Sequence, residues 1–176
     1  MGDTARLSRF KTTVLAHLDA AHNLARWLTR DDFGAEEAVQ EACVRAFRAF
    51  DDVHGPNPKA WFMAIVRNTS LDWLRGNKVR TLEDAFDDDT HGNYGSTTSP
   101  ETAALQASES RWVRVCIATL PPEYREVIVL RELEDLSYKE ISAIVDVPIG
   151  TVMSRLARGR DLLQQRLAAS RQRMSS

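Results

Sequence analysis

Thr151, Ser154, Arg155 and Arg158 recur at intervals of one, three and four residues. At 100° per residue in an α-helix, that spacing gathers them in an arc of about 100°. Val152, Leu156, Gly159 and Leu163 fall within about 60° of one another on a separate side. An apolar stripe of this kind seats a helix on a neighbour. The outer stripe then offers hydroxyls and guanidinium forks to base edges and phosphates. Arginine pairs bidentately with guanine, or with a phosphate. The same pattern, taken alone, also fits the solvated side of a plain helical hairpin.

The residues just before it supply a partner helix. In the stretch LSYKEISAIVDVPIGTVMSRLARGR, residues 136–160, Ser137 and Glu140 have the spacing of a capping box, which starts a helix at Tyr138. Tyr138, Ile141, Ile144 and Val145 form its apolar face, and Asp146-Val147-Pro148 ends it before Ile149 opens the next helix. The pattern is a capped helical pair with a tight turn.

Two further groups lie in the first half. Glu36, Glu37, Gln40 and Glu41 stand opposite the apolar stripe Ala38, Val39, Ala42, Cys43, Ala46, Phe47 and Phe50, with Arg45 and Arg48 after them. Acids near a helix N-terminus complement its dipole, and they also compose an acidic surface for a protein partner. Farther on, Trp61, Phe62 and Trp73 alternate with Arg67, Asn68 and Arg75. Rings on which bases stack and cations that track a backbone suit single-stranded nucleic acid, while aromatics at helical spacing equally make a core. The loop at 51–58 with its two prolines is either a rigid edge for a flipped base or a turn.

Period-two alternation is almost absent, so the chain is predicted to be all-α. Helices are expected at about 7–29, 35–50 and 59–75, and helical patterning resumes near 101, broken at Pro121-Pro122, at 135–137 and at 146–148. Charge divides the chain in the same way. Residues 1–75 carry ten basic and ten acidic side chains, residues 76–110 two and seven, and residues 111–176 eleven and eight. The acidic, Gly/Ser/Thr-rich middle holds too little apolar surface to offset its ordering entropy. The expected organisation is two small helical domains, 1–76 and 109–176, joined by a flexible acidic linker at 77–108. The second is a helix-turn-helix domain whose basic end faces nucleic acid.

Other classes are excluded or disfavoured. Cys43 and Cys116 sit far apart in helical patterns and read as buried thiols in a reducing compartment. No apolar run reaches the roughly 20 residues of a membrane span, and the charged N-terminus lacks a signal peptide's apolar block, so a cytoplasmic protein without membrane insertion is expected. There is no phosphate-binding glycine loop and no metal-ligand spacing among the four histidines and two cysteines. Neither an enzyme nor a cofactor is expected.

Taken together, residues 35–50, 59–75 and 120–163 resemble the extracytoplasmic-function group of the sigma-70 family, the smallest bacterial sigma factors. The last segment is the most specific. Leu120-Pro121, Arg125-Glu126-Val127, Leu136-Ser137-Tyr138-Lys139-Glu140-Ile141 and Pro148-Ile149-Gly150-Thr151-Val152-Met153-Ser154-Arg155-Leu156 follow the family's order and spacing. The resemblance implies an N-terminal region 2 that holds RNA polymerase and opens the minus-10 element, and a C-terminal region 4 that reads the minus-35 element. It implies that Glu37, Gln40 and Glu41 dock on the clamp helices of the largest polymerase subunit. Asn57, Lys59, Arg67, Asn68, Asp72 and Arg75 would serve the minus-10 element, with Asp72 either near the bases or orienting Arg75. Thr151, Ser154, Arg155 and Arg158 would serve the minus-35 element. Ala38 and Cys43 depart from the family, standing where bulkier apolar residues are usual. Implied partners are core polymerase (its clamp helices and the flap of the second-largest subunit), promoter DNA and an anti-sigma factor. The alternatives are a sigma mimic that titrates an anti-sigma factor and a stand-alone helix-turn-helix regulator.

Overall fold

The computed structural model describes residues 2–52, 55–81 and 100–174. Among them the chain is helical with no strand, in the order α1 (Gly2–Thr13), α2 (Leu18–Thr29), α3 (Asp32–Arg48), α4 (Pro58–Thr81), α5 (Pro100–Ala118), α6 (Pro122–Ile128), α7 (Tyr138–Val145) and α8 (Ile149–Met174). The core of the predicted linker, 82–99, lies outside the described residues. Helix enters the predicted linker from both sides, since α4 reaches Thr81 and α5 starts at Pro100.

The single helix expected over 7–29 is divided by a 3-10 turn, Leu15–His17. Its cause is tertiary. Phe10 meets the rings of Phe47 and Phe50 edge-on, at 5.1 and 5.4 Å between centroids. Arg6 donates to the Phe47 carbonyl at 2.7 Å and to Asp51 at 2.9 Å. These contacts hold α1 against the far end of α3. The tightened turn reconciles that seat with the packing of α2 on α3 and α4.

α3 starts three residues earlier than expected, because Asp31 caps it by accepting the Gly34 amide at 2.6 Å. Gly34 is therefore helical, and its lack of a side chain serves packing. A β-carbon there would overlap three indole carbons of Trp73. Gly34→Ala is expected to displace that indole and destabilise the chain by about 1–3 kcal/mol, read as a lowered thermal midpoint with a shift in tryptophan emission.

The helix-turn-helix forms as the sequence predicts. Ser137 Oγ accepts the Glu140 amide at 3.1 Å and Glu140 returns by accepting the Ser137 amide at 2.9 Å. α7 ends on Asp146 in the left-handed region at φ 56°, a conformation that Asp tolerates better than most residues. Gly159 lets α8 close on α6, since a β-carbon would stand 3.0 Å from Ile128 Cγ1. A feature without a periodicity signal is the π turn Val129–Leu133, closed by the Glu134 amide on the Val129 carbonyl at 3.1 Å.

Most buried apolar residues form one continuous cluster from Phe10 to Leu156. It crosses between the bundle of α1–α4 and the bundle of α5–α8, where α4 packs on α7 and α2 on α6 and the π turn. Cys43 is half-buried and Cys116 buried, both as free thiols, and burial raises both above their ordinary values.

Candidate nucleic-acid and protein interfaces

On α8 the apolar stripe faces inward as predicted, with Val152, Leu156 and Gly159 buried and Leu163 half-buried. The arginines of this helix then sort by partner. Arg160 reaches back to Glu132 on the π turn at 2.7 Å, and Arg166 to Thr119 Oγ1 at 2.7 Å. Arg155 and Arg158 have no such partner among the described residues, and Arg158 is exposed with Ser154. Ser154 hydrogen-bonds only the Thr151 carbonyl one turn back, at 3.1 Å. The four predicted residues thus lie on one face, Ser154 and Arg158 exposed and Thr151 and Arg155 half-buried. Met153, 51% exposed, borders it and was missed by the sequence reading. Its signal was an apolar side chain lying off the packing stripe, where a thymine methyl could be met.

Glu37, Gln40 and Glu41 also converge. They line a cleft of about 440 Å³ between α3 and α4, with Val44, Arg45, Asp72 and Trp73. Glu37 accepts the Trp73 indole N–H at 2.8 Å, and Gln40 lies 3.5 Å from Glu36 Oε1. Arg45 links Glu41 at 2.8 Å to Asp72 at 3.0 Å, and these hydrogen bonds hold its guanidinium above the usual arginine value. Val44, 45% exposed, gives the rim an apolar contact. The roles of Val44, Arg45 and Trp73 in this cleft are invisible in sequence, because they depend on how α3 meets α4.

The six residues assigned to the minus-10 element do not form one surface. Asn68, Asp72 and Arg75 are exposed along one face of α4, and Arg75 lies 3.4 Å from Asp72, which bears on the alternative that Asp72 orients it. Asn57, Lys59 and Arg67 are instead half-buried and engaged by the other bundle. Asn57 donates to Glu140 at 2.5 Å, Lys59 to the Glu134 carbonyl at 2.9 Å, and Arg67 forms a two-pronged pair with Glu126. Two residues of the 51–58 loop, 53 and 54, lie outside the described residues. The aromatics take different places. Phe62 is fully buried, Trp61 packs half-buried on the core, and Trp73 lies in the α3/α4 cleft.

A second groove, of about 680 Å³, runs along α8, its apolar residues Ile128, Leu163, Leu167 and Ala168 alternating with Glu132, Arg160, Gln164 and Arg171. Among the described residues there is no group of side chains able to hold a metal ion, and no helix long and apolar enough to cross a membrane.

Comparison with known proteins gives consistent matches in both bundles. Residues 13–80 match the family description "Sigma-70 region 2", and residues 110–163 match "Sigma-70, region 4". The chain is 32% identical over 167 residues to the ECF RNA polymerase sigma factor SigE of Mycolicibacterium smegmatis, covering 95% of this chain and 65% of that protein. It is 32% identical over 151 residues to the ECF RNA polymerase sigma-E factor of Haemophilus influenzae, covering 82% and 79%. For the sigma-E factor of Escherichia coli the identity is 34% over 138 residues, covering 74% and 72%. Among solved structures, the sigma factor RpoE in complex with the anti-sigma factor NepR from Bartonella quintana superposes with a TM-score of 0.74. Its identity is 26%, over 90% of this chain and 96% of that one. CnrH in complex with the cytosolic domain of CnrY has a TM-score of 0.60 at 26% identity, over 91% and 88%.

Proposed function

The chain belongs to the extracytoplasmic-function sigma factors of the sigma-70 family, and from that premise we propose a division of labour among its surfaces. The α3/α4 cleft with Glu37, Gln40 and Glu41 docks on the clamp helices of core RNA polymerase. Asn57, Lys59, Arg67, Asn68, Asp72 and Arg75 serve the minus-10 element, the exposed trio meeting DNA first. Thr151, Ser154, Arg155 and Arg158 enter the major groove of the minus-35 element. The groove along α8, apolar in the middle and charged at its edges, is the face left for the polymerase flap. The factor works in the cytoplasm by binding rather than by a chemical step of its own. Its regulator is an anti-sigma factor, in line with the complex in which the Bartonella relative was solved.

The observation that carries the reading is the sorting of cations on α8. Arg160 is paired with Glu132 and Arg166 with Thr119, while among the described residues Arg155 and Arg158 have no partner on a face with two hydroxyls. A folded chain that leaves guanidinium forks so placed leaves them for an external acceptor.

Run-off transcription with core polymerase tests the whole. Start-site-specific product supports it, and no product with any promoter while an anti-sigma factor is still captured would point to a titrating mimic. Arg155→Ala is expected to weaken holoenzyme binding at a minus-35 element by about 1–3 kcal/mol and to relax preference at one base. Unchanged promoter choice would remove Arg155 from the base-reading set.

A further inference from the structure

Three carboxylates of the C-terminal bundle come from three different elements, α6, the residue after the π turn, and α7, yet all meet donors on the α2/α4 side of the N-terminal bundle. Glu126, itself 6% exposed, takes Arg67 in a two-pronged pair. Glu134 lies 3.5 Å from the Lys59 ammonium and accepts the Asn23 amide at 2.6 Å, while its own carbonyl takes Lys59 at 2.9 Å. Glu140 takes Asn57 at 2.5 Å. Carboxylate and phosphate present the same acceptor geometry to a guanidinium fork or an ammonium. From Asn57, just before α4, to Arg67 within it, the donors span roughly 15 Å.

We propose that the free chain is latched by its own acids, with Glu126, Glu134 and Glu140 occupying the donors that opened promoter DNA would need. The latch rests on the assignment of Asn57, Lys59 and Arg67 to DNA. The acids of the C-terminal bundle hold the two bundles together and mask part of the strand-binding face, and DNA or polymerase gains that face only when the bundles part. Glu140 is kept ionised for this role. Burial pushes its carboxyl up, but hydrogen bonds from Ser137 and Asn57 and the nearby Lys59 charge bring it below the usual carboxylate value. The exposed trio Asn68, Asp72 and Arg75 stays outside the latch, so weak residual binding by the closed chain is expected.

The test uses the full chain with Glu126→Gln and Glu134→Gln combined, which keeps side-chain size and removes the charges. Small-angle scattering reports whether the bundles part, and anisotropy of a short fluorescent single strand of mixed-sequence DNA reports affinity. Opening with binding tighter by about 10–100-fold is the expected result, the gain for a competent state that rises from about 1–10% of molecules to dominance. Transcription by the variant's holoenzyme should be unchanged. A scattering profile identical to the parent's, with equal affinity, overturns the latch. Glu134→Lys, which sets like charge against Lys59, repeats the test should the double variant fold poorly. Opening without tighter binding overturns the masking. Failure of the underlying assignment shows separately, as an Arg67→Ala holoenzyme that opens promoters normally.

Discussion

Phe62→Ala is expected to lower the free energy of unfolding by about 3–5 kcal/mol, read as a fall in the urea midpoint with little change in slope. Phe62 is fully buried on α4 and belongs to the cluster that includes Met63 and Val66 on the same helix and Leu24 on α2. Deleting the ring removes its transfer energy and leaves a cavity that close-packed neighbours fill only in part. The result also separates two meanings of the aromatic helix. A ring used for base stacking would cost affinity and little stability when removed. Phe62 should behave the opposite way, losing stability while a folded remnant still binds DNA.

Leu156→Ala carries the second large effect, about 2–5 kcal/mol. Leu156 is 1% exposed and, with Val152, seats α8 on the rest of the C-terminal bundle. Arg155, one residue away, is half-buried on the polar face. The two substitutions should therefore dissociate. Leu156→Ala shifts the unfolding midpoint and weakens minus-35-dependent transcription mainly as temperature approaches that midpoint. Arg155→Ala leaves the midpoint within about 0.5 kcal/mol, as surface changes usually do, and weakens transcription at all temperatures. Equal stability losses from both would mean that the polar face is part of the packing.

Much of this molecule is legible one helix at a time. The stripe Val152, Leu156, Gly159 and Leu163 faces the core and the polar set faces out, because a helix's own geometry decides which residues share a face. Ser137 and Glu140 form their capping box, since a cap is closed by atoms three residues apart. α3 starts earlier than expected because Asp31 caps it and Gly34 sits inside its first turn. The place of Gly34 in the helix depends on Trp73, 39 positions later in the chain.

The remaining decisions belong to tertiary structure. Arg67 and Asn68 are neighbours in sequence and similar in promise, yet Arg67 is paired with Glu126 while Asn68 is exposed. The difference is 100° of helix rotation and the presence of α6 on one side only. Likewise the 3-10 turn Leu15–His17 and the π turn Val129–Leu133 answer to contacts made elsewhere in the chain. By itself the sequence determined that the chain is helical, which residues share a helix face and the family's signature stretches, because those depend on spacings within one element. Only the tertiary structure decided which acids meet which donors across the two bundles, because such pairs join residues 59 to 111 positions apart and no local period records them.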